Sequence, residues 1–139
     1  VIFGDNKPND FKKKFQHKIN WMGKIKTQSK IADIFCAADL LALPSRYDNL
    51  PQVGLEAQST GLPIICFDVG GVKELVKHKK NGFIVKKYST EKFSKGMNWC
   101  LKNLNSVKFR KKNACSSRNY NSDKISLDYK NLYKDILNK

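Results

Sequence analysis

Acidic side chains are scarce in this chain. Asp and Glu number 12 against 27 Lys and Arg, a formal net charge of +15 over 139 residues. The excess is uneven: residues 73–112 hold 13 basic and 2 acidic side chains, and the remainder is close to balance. Such a segment reads either as a solvated lysine-rich face or as a surface for anionic lipid or nucleic acid. Nucleic acid is disfavoured, since neither an aromatic-and-basic RNA motif nor zinc-finger spacing is present. Long apolar runs are also missing. None approaches the roughly 20 residues that cross a bilayer, and no stretch reads as a signal peptide. Cysteine is sparse, and Cys36, Cys66, Cys100 and Cys115 include no C-x2-C pair, so no zinc site is expected. Cys36 and Cys66 sit in apolar segments and are expected in the core as free thiols, which suits a reducing cytosol. His17 and His78 lack a partner pattern and read as surface residues, while Asp33 and Asp39 read as structural. Neither a repeat nor a linker breaks the chain, so its length predicts one domain.

What is present is organised around residues 38–74. An apolar run at 40–43, stopped by Pro44, suits a buried parallel strand. Residues 45–50 are polar and irregular. Pro51 belongs in the first turn of a helix that continues through Val53, Leu55 and Ala57 to about Thr60. Gly61 can take the left-handed position after that helix, and Pro63 prevents continuation. Residues 63–67 form a second buried strand, and 68–71 a loop into the next helix. A strand–helix–strand unit predicts parallel strands with a right-handed crossover. Ligands of such sheets bind beyond the carboxyl ends of the strands, where the loops 44–50 and 68–71 both fall.

Around this unit, residues 1–3 and 19–22 read as strands, the second ending at Gly23. A turn at 4–8 precedes a short basic helix through Phe11 and Phe15, capped by Asn9 or Asp10. Ser29 is expected to cap a helix whose stripe is Ile31, Ile34, Phe35 and Ala38. Residues 72–78 read as a short helix, Asn81-Gly82 as a turn and 83–85 as a last strand. A helical stripe of Phe93, Met97, Cys100, Leu101 and Leu104 follows. Residues 106–120 read as a helix and loop. Ser122 is expected to cap a final helix with the stripe Ile125, Tyr129, Leu132, Tyr133 and Ile136. Five strands and about seven helices make an α/β doubly wound parallel sheet.

The central stretch carries a family resemblance. Asp48 and Glu56 are acids separated by seven residues, in D-N-L-P-Q-V-G-L-E. Matches accompany them at Ala38-Asp39-Leu40, Pro44-Ser45, Glu56-Ala57, Gly61-Leu62-Pro63, Gly70-Gly71, Glu74 and Asn81-Gly82. The chain thereby resembles the donor-binding half of retaining glycosyltransferases of family 4, which have the two-Rossmann-domain GT-B architecture. The first acid of that motif is normally glutamate, so Asp48 is a departure, and the Asp-Asn-Leu-Pro form is similar to the branch that builds bacterial surface polysaccharides. The resemblance is clear over residues 1–85 and weaker beyond. It implies a Rossmann-like donor domain over 1–139, with C-terminal helices from about 89 to 139. It also implies that the family's first strand, with its phosphate-gripping basic residues, and the N-terminal acceptor domain are missing, so that this chain alone is inactive.

Cleaving a sugar–nucleotide bond leaves charge on the departing diphosphate, which a helix N-terminus can stabilise through backbone N–H groups. The resemblance assigns this to Asn49, Leu50, Pro51 and Gln52, with Leu50 and Gln52 supplying N–H groups that Pro51 lacks. It assigns sugar hydroxyls to Asp48, whose plainer reading is an Asx-turn or helix cap. It assigns both ribose hydroxyls to Glu56, whose plainer reading is a surface glutamate on an amphipathic helix. Gly23, Lys24 and Ile25 would hold the base, or be an ordinary strand–helix turn. Gly70 and Gly71 allow close backbone approach, or only a tight turn. Arg46 would reach phosphate, or lie idle on the surface. There is no Asp-x-Asp, and neither metal nor cofactor is expected.

The resemblance therefore implies transfer of a hexosyl group from a nucleotide sugar, a UDP sugar, to a lipid-linked saccharide in O-antigen, capsule or exopolysaccharide synthesis. The location implied is cytoplasmic, peripheral at the inner face of the bacterial inner membrane. Competing readings are a UDP-sugar epimerase of the same architecture and a non-enzymatic basic module binding membrane or nucleic acid.

Overall fold

A computed structural model describes residues 1–4, 17–86, 88–104, 106–116 and 121–138. The helix expected through Phe11 and Phe15, and most of the turn at 4–8, lie outside these residues. Two compact units are present, residues 1–34 and 35–139.

In the larger unit three strands, β1 (Leu41–Leu43), β2 (Ile64–Phe67) and β3 (Gly82–Val85), form one parallel sheet in the order β1-β2-β3. Leu41 pairs with Ile64 and Ile64 with Gly82. The central strand is buried on both faces, as a parallel strand covered by helices on each side must be. Ile64 and Cys66 face a cluster with Leu43, Val72, Leu75 and Val76. Ile65 and Phe67 face the opposite way, towards Val85, Phe93 and Met97. Each such aliphatic or aromatic side chain contributes about 1.5–3 kcal/mol when fully buried. Burial also pushes the thiols of Cys66 and Cys100 up, to about 12 and about 11, so both stay protonated.

The helices are α1 (Gln28–Ala37), α2 (Gln52–Ser59), α3 (Val72–Leu75), α4 (Thr90–Asn103), α5 (Val107–Ser116) and α6 (Ser122–Leu137). α2 begins directly after Pro51, which occupies the capping position rather than the first turn. It ends as expected on Gly61, with φ 78°. The Gly61 amide reaches the Gln58 carbonyl at 2.9 Å and the Leu62 amide the Ala57 carbonyl at 3.1 Å, the paired bonds of a Schellman end. Only glycine fits here for a second reason: a Cβ would collide with the backbone of Arg110 on α5. α5 seals the same corner with Asn113, whose amide donates to the Gly61 carbonyl at 3.2 Å.

Several expectations need correction. Regular strands number three, not five, among the described residues, whereas the six helices found there are six of the seven expected, the other lying outside those residues. Residues 1–3 and 19–22 make only an isolated parallel bridge, Ile2 to Trp21, with too few paired residues for a ladder. α3 stops at Leu75 instead of reaching His78. Val76 turns extended (φ −105°, ψ 114°), and the Asn81 side chain donates to the Leu75 carbonyl and accepts from the Lys77 amide. α1 starts one residue before Ser29, and Asn121 rather than Ser122 caps α6, accepting from the Asp123 amide at 3.0 Å. Cys36 is exposed, because the neighbouring Phe35 takes the inward position and successive helical residues point about 100° apart. Leu101 is likewise exposed, while Gly96 and Cys100 carry the buried face of α4. His78 is at the surface as expected, yet its Nδ1 accepts the Ile84 amide at 3.1 Å and its ring packs on Phe83. α6 has no buried residue, and its apolar stripe faces solvent.

Candidate functional site

The loops after the carboxyl ends of β1, β2 and β3 meet around an open cleft of about 700 Å³. Its lining is Arg46, Tyr47, Asp48 and Asn49 from the first loop, Asp68, Val69 and Gly70 from the second, and Tyr88 from the third. Parallel strands bring these loops together because all three carboxyl ends lie on one edge of the sheet. Two carboxylates and one guanidinium therefore share one wall system. Asp48 is half-buried; Arg46 and Asp68 are exposed.

The backbone of the second loop passes close against that of the first. A Cβ at Gly70 would collide with the Asp48 carbonyl, and one at Gly71 with the Asn49 carbonyl. Gly70 also has φ 48°, a left-handed conformation that a side chain would strain. The close approach that these glycines permit is thus, first of all, to the acidic loop. On the other side, the Tyr88 hydroxyl donates to the Arg46 carbonyl at 2.8 Å. The Arg46 guanidinium lies 5.8 Å from the centre of the Tyr88 ring, and that ring packs edge-on against Phe67.

Of the residues singled out in the sequence, the cleft gathers Arg46, Asp48, Asn49 and Gly70, with Gly71 against it. Leu50, Pro51 and Gln52 lead from the same loop into α2 but do not line it; Pro51 is buried, whereas Leu50 and Gln52 are exposed. Glu56 lies one turn further along α2, half-buried and outside the cleft lining. Lys24 and Ile25 line a pocket of about 480 Å³ within residues 22–34, together with Thr27, Lys30 and Asp33. Gly23 precedes them with φ 63°. Tyr47, Asp68, Val69 and Tyr88 were not anticipated. Their signal is position: each falls in a polar loop just after a strand, where the carboxyl-end rule places ligands. Among the described residues, no group of three or more His, Cys, Asp or Glu is placed to hold a metal ion, and no helix is long and apolar enough to cross a membrane.

Residues 1–119 match the family described as Glycosyl transferases group 1. The chain belongs to this family. Among curated relatives of this glycosyl transferase domain, an uncharacterized glycosyltransferase of Haemophilus influenzae is 34% identical over 98 residues, covering 69% of this chain and 28% of its own length. The UDP-Gal:alpha-D-GlcNAc-diphosphoundecaprenol alpha-1,3-galactosyltransferase of Escherichia coli is 35% identical over 97 residues, covering 67% of this chain and 25% of its own. The group 1 chain thus spans about a quarter to a third of the length of such relatives. Among solved structures, Anabaena HepE in complex with UDP superposes with a TM-score of 0.72 at 20% identity, over 83% of this chain and 32% of that one. HepE with UDP-glucose gives 0.68 at 21% identity, over 84% and 35%. This likeness shows the fold: α/β, a Rossmann-like parallel sheet of the GT-B glycosyltransferases.

Proposed function

We propose that this chain is the donor-binding part of a retaining family 4 glycosyltransferase that moves a hexosyl group from a UDP sugar to a lipid-linked saccharide of a bacterial surface polysaccharide (O-antigen, capsule or exopolysaccharide). The observation that carries the reading is the cleft at the carboxyl edge of the sheet, which unites Asp48, Asn49, Arg46 and Gly70 in one wall system. The relatives support it: the Escherichia coli enzyme uses UDP-galactose and a diphosphoundecaprenol-linked acceptor, and HepE is seen with UDP and UDP-glucose. The Escherichia coli relative is a galactosyltransferase, which favours transfer over epimerisation.

In this reading the donor diphosphate sits near the amino end of α2, where the amides of Leu50 and Gln52 meet the leaving charge. Arg46 adds a formal positive charge that grows in value as charge develops on the leaving group. Asp48 accepts hydroxyls of the donor sugar. Glu56 accepts both ribose hydroxyls, one on each carboxylate oxygen. Gly23, Lys24 and Ile25 hold the base, and Gly70 and Gly71 place backbone against the sugar. The basic segment 73–112 attaches the enzyme to anionic lipid at the cytoplasmic face of the bacterial inner membrane, which brings it to a lipid-linked acceptor. Arg110 is not part of that surface, since its guanidinium donates to the carbonyls of Cys36 and Ala38.

The test is a calorimetric titration with UDP. Glu56→Gln removes the charge but keeps the shape, and each charge-assisted bond is worth about 1.5–3 kcal/mol before compensation. Affinity is expected to fall at least about tenfold, with the fold intact by circular dichroism. Equal affinity refutes the role of Glu56, and no UDP binding by the unaltered chain refutes the donor reading.

A further inference from the structure

Three carbonyls of the first cleft loop meet neighbouring loops. Those of Asp48 and Asn49 lie close against Gly70 and Gly71, in space that a Cβ would fill. The carbonyl of Arg46 is hydrogen-bonded by a side chain 42 residues away in sequence, Tyr88, which engages Arg46 twice: the hydroxyl donates to the carbonyl and the ring lies under the guanidinium. Tyr88 itself is braced by Phe67, the last residue of the buried central strand, so the grip is referred to the core. Tyr88 as a whole is 54% exposed.

We propose that Tyr88 is a positioning residue of this cleft: it ties the loop after β3 to Arg46 and so sets where the Arg46 guanidinium and the Asp48 carboxylate meet a nucleoside-diphosphate sugar. The proposal rests on the donor reading given above. Tyr88 forms no bond to the donor; it acts by holding Arg46. Without the hydroxyl the loop after β1 keeps its glycine contacts on one side only, and its residues 46–49 sample more conformations before a ligand arrives. The bound arrangement is then a smaller fraction of the whole, and apparent affinity falls by that fraction.

Two variants separate this from packing. Tyr88→Phe keeps the ring on Phe67 and beneath Arg46 but deletes the hydroxyl; Tyr88→Leu deletes both holds and keeps an apolar contact. The 139-residue chain is titrated with UDP by calorimetry, melted, and followed by backbone amide exchange at residues 46–49. Tyr88→Phe is expected to bind about threefold to tenfold more weakly, the range given by one lost hydrogen bond. Exchange at 46–49 should quicken in the free protein, and the melting temperature should stay close to that of the unaltered chain. Tyr88→Leu should be weaker again. Unchanged exchange at 46–49, or unchanged affinity in Tyr88→Phe while the unaltered chain binds UDP, overturns the proposal alone. A lowered melting point with unchanged exchange at 46–49 makes Tyr88 a packing residue and also overturns it. If the unaltered chain binds no UDP, the donor reading falls and the role of Tyr88 falls with it.

Discussion

Replacing Gly71 by alanine isolates the geometry of the cleft from the stability of the fold. Gly71 has φ −88° and ψ 4°, which alanine adopts without strain. In open space the change would stabilise the protein by about 0.4–1 kcal/mol, by restricting the unfolded chain. Space is not open here. The new Cβ would stand more than an ångström inside ordinary contact with the Asn49 carbonyl oxygen, and that oxygen is backbone, not the yielding tip of a side chain. Something must move by about an ångström. α3 is anchored by Val72 and Leu75, each 1% exposed, whereas Arg46, Tyr47 and Asn49 are exposed. The loop yields first. Overpacking of this kind costs about 1–3 kcal/mol, with the low end expected where the obstacle is a surface loop. The displaced loop carries Asp48, and an ångström of misplacement in a positioned group can weaken its contribution about a hundredfold. Gly71→Ala is therefore expected to melt only slightly below the unaltered chain and to bind UDP-sugar at least about tenfold more weakly, a loss of about 1.4 kcal/mol. Calorimetry on samples shown to be folded by circular dichroism decides it. Affinity equal to that of the unaltered chain would refute the claim that the glycine loop sets the position of the acidic loop.

Two further outcomes concern surfaces away from the cleft. Burial first, and then the charges of Lys79 and Lys86, hold His78 below its ordinary 6.5. The unfolded chain therefore takes up this proton near pH 6.5 while the folded chain resists it to lower pH. Stability from neutral His78 is full above that value and fades as the pH drops beneath it; a His78→Asn variant, whose amide oxygen can accept the Ile84 N–H at any pH, should lack this step in melts taken across pH 5–8. For the basic segment, co-sedimentation with anionic vesicles should be strong in dilute salt and lost in concentrated salt, with each well-placed lysine contributing about 1 kcal/mol. Equally poor sedimentation with neutral and anionic vesicles would leave the segment a solvated face.

The strand–helix–strand centre was legible because punctuation brackets every element. Pro44 ends β1, Pro51 precedes α2, and Gly61 with Pro63 separates α2 from β2. Elements that failed lacked such marks. α3 ran too long on paper because its end is made by the side chain of Asn81, a bond between residues whose spacing carries no pattern. Ile2 and Trp21 have strand-forming neighbours, but a single bridge is all they form, and pairing is a property of two segments rather than one. In the cleft, Asp48 and Gly70 stood out by spacing and type, whereas Asp68 did not. Tyr88 did not, because a lone tyrosine in a basic loop shows nothing of the carbonyl that it meets 42 residues earlier.

The order β1-β2-β3 has a consequence for how the chain reaches this state. Every rung of the sheet joins residues far apart: Leu41 to Ile64, then Ile64 to Gly82. Neighbouring strands of this sheet are parallel and joined through a helix, so no hairpin can nucleate it, and each rung waits for a loop of about twenty residues to close. The entropy of that closure is lost before any ladder bond forms. High contact order of this kind slows folding. Until β2 is seated, the apolar run from Ile64 to Phe67 is uncovered, and it is the segment through which newly made chains would stick to one another.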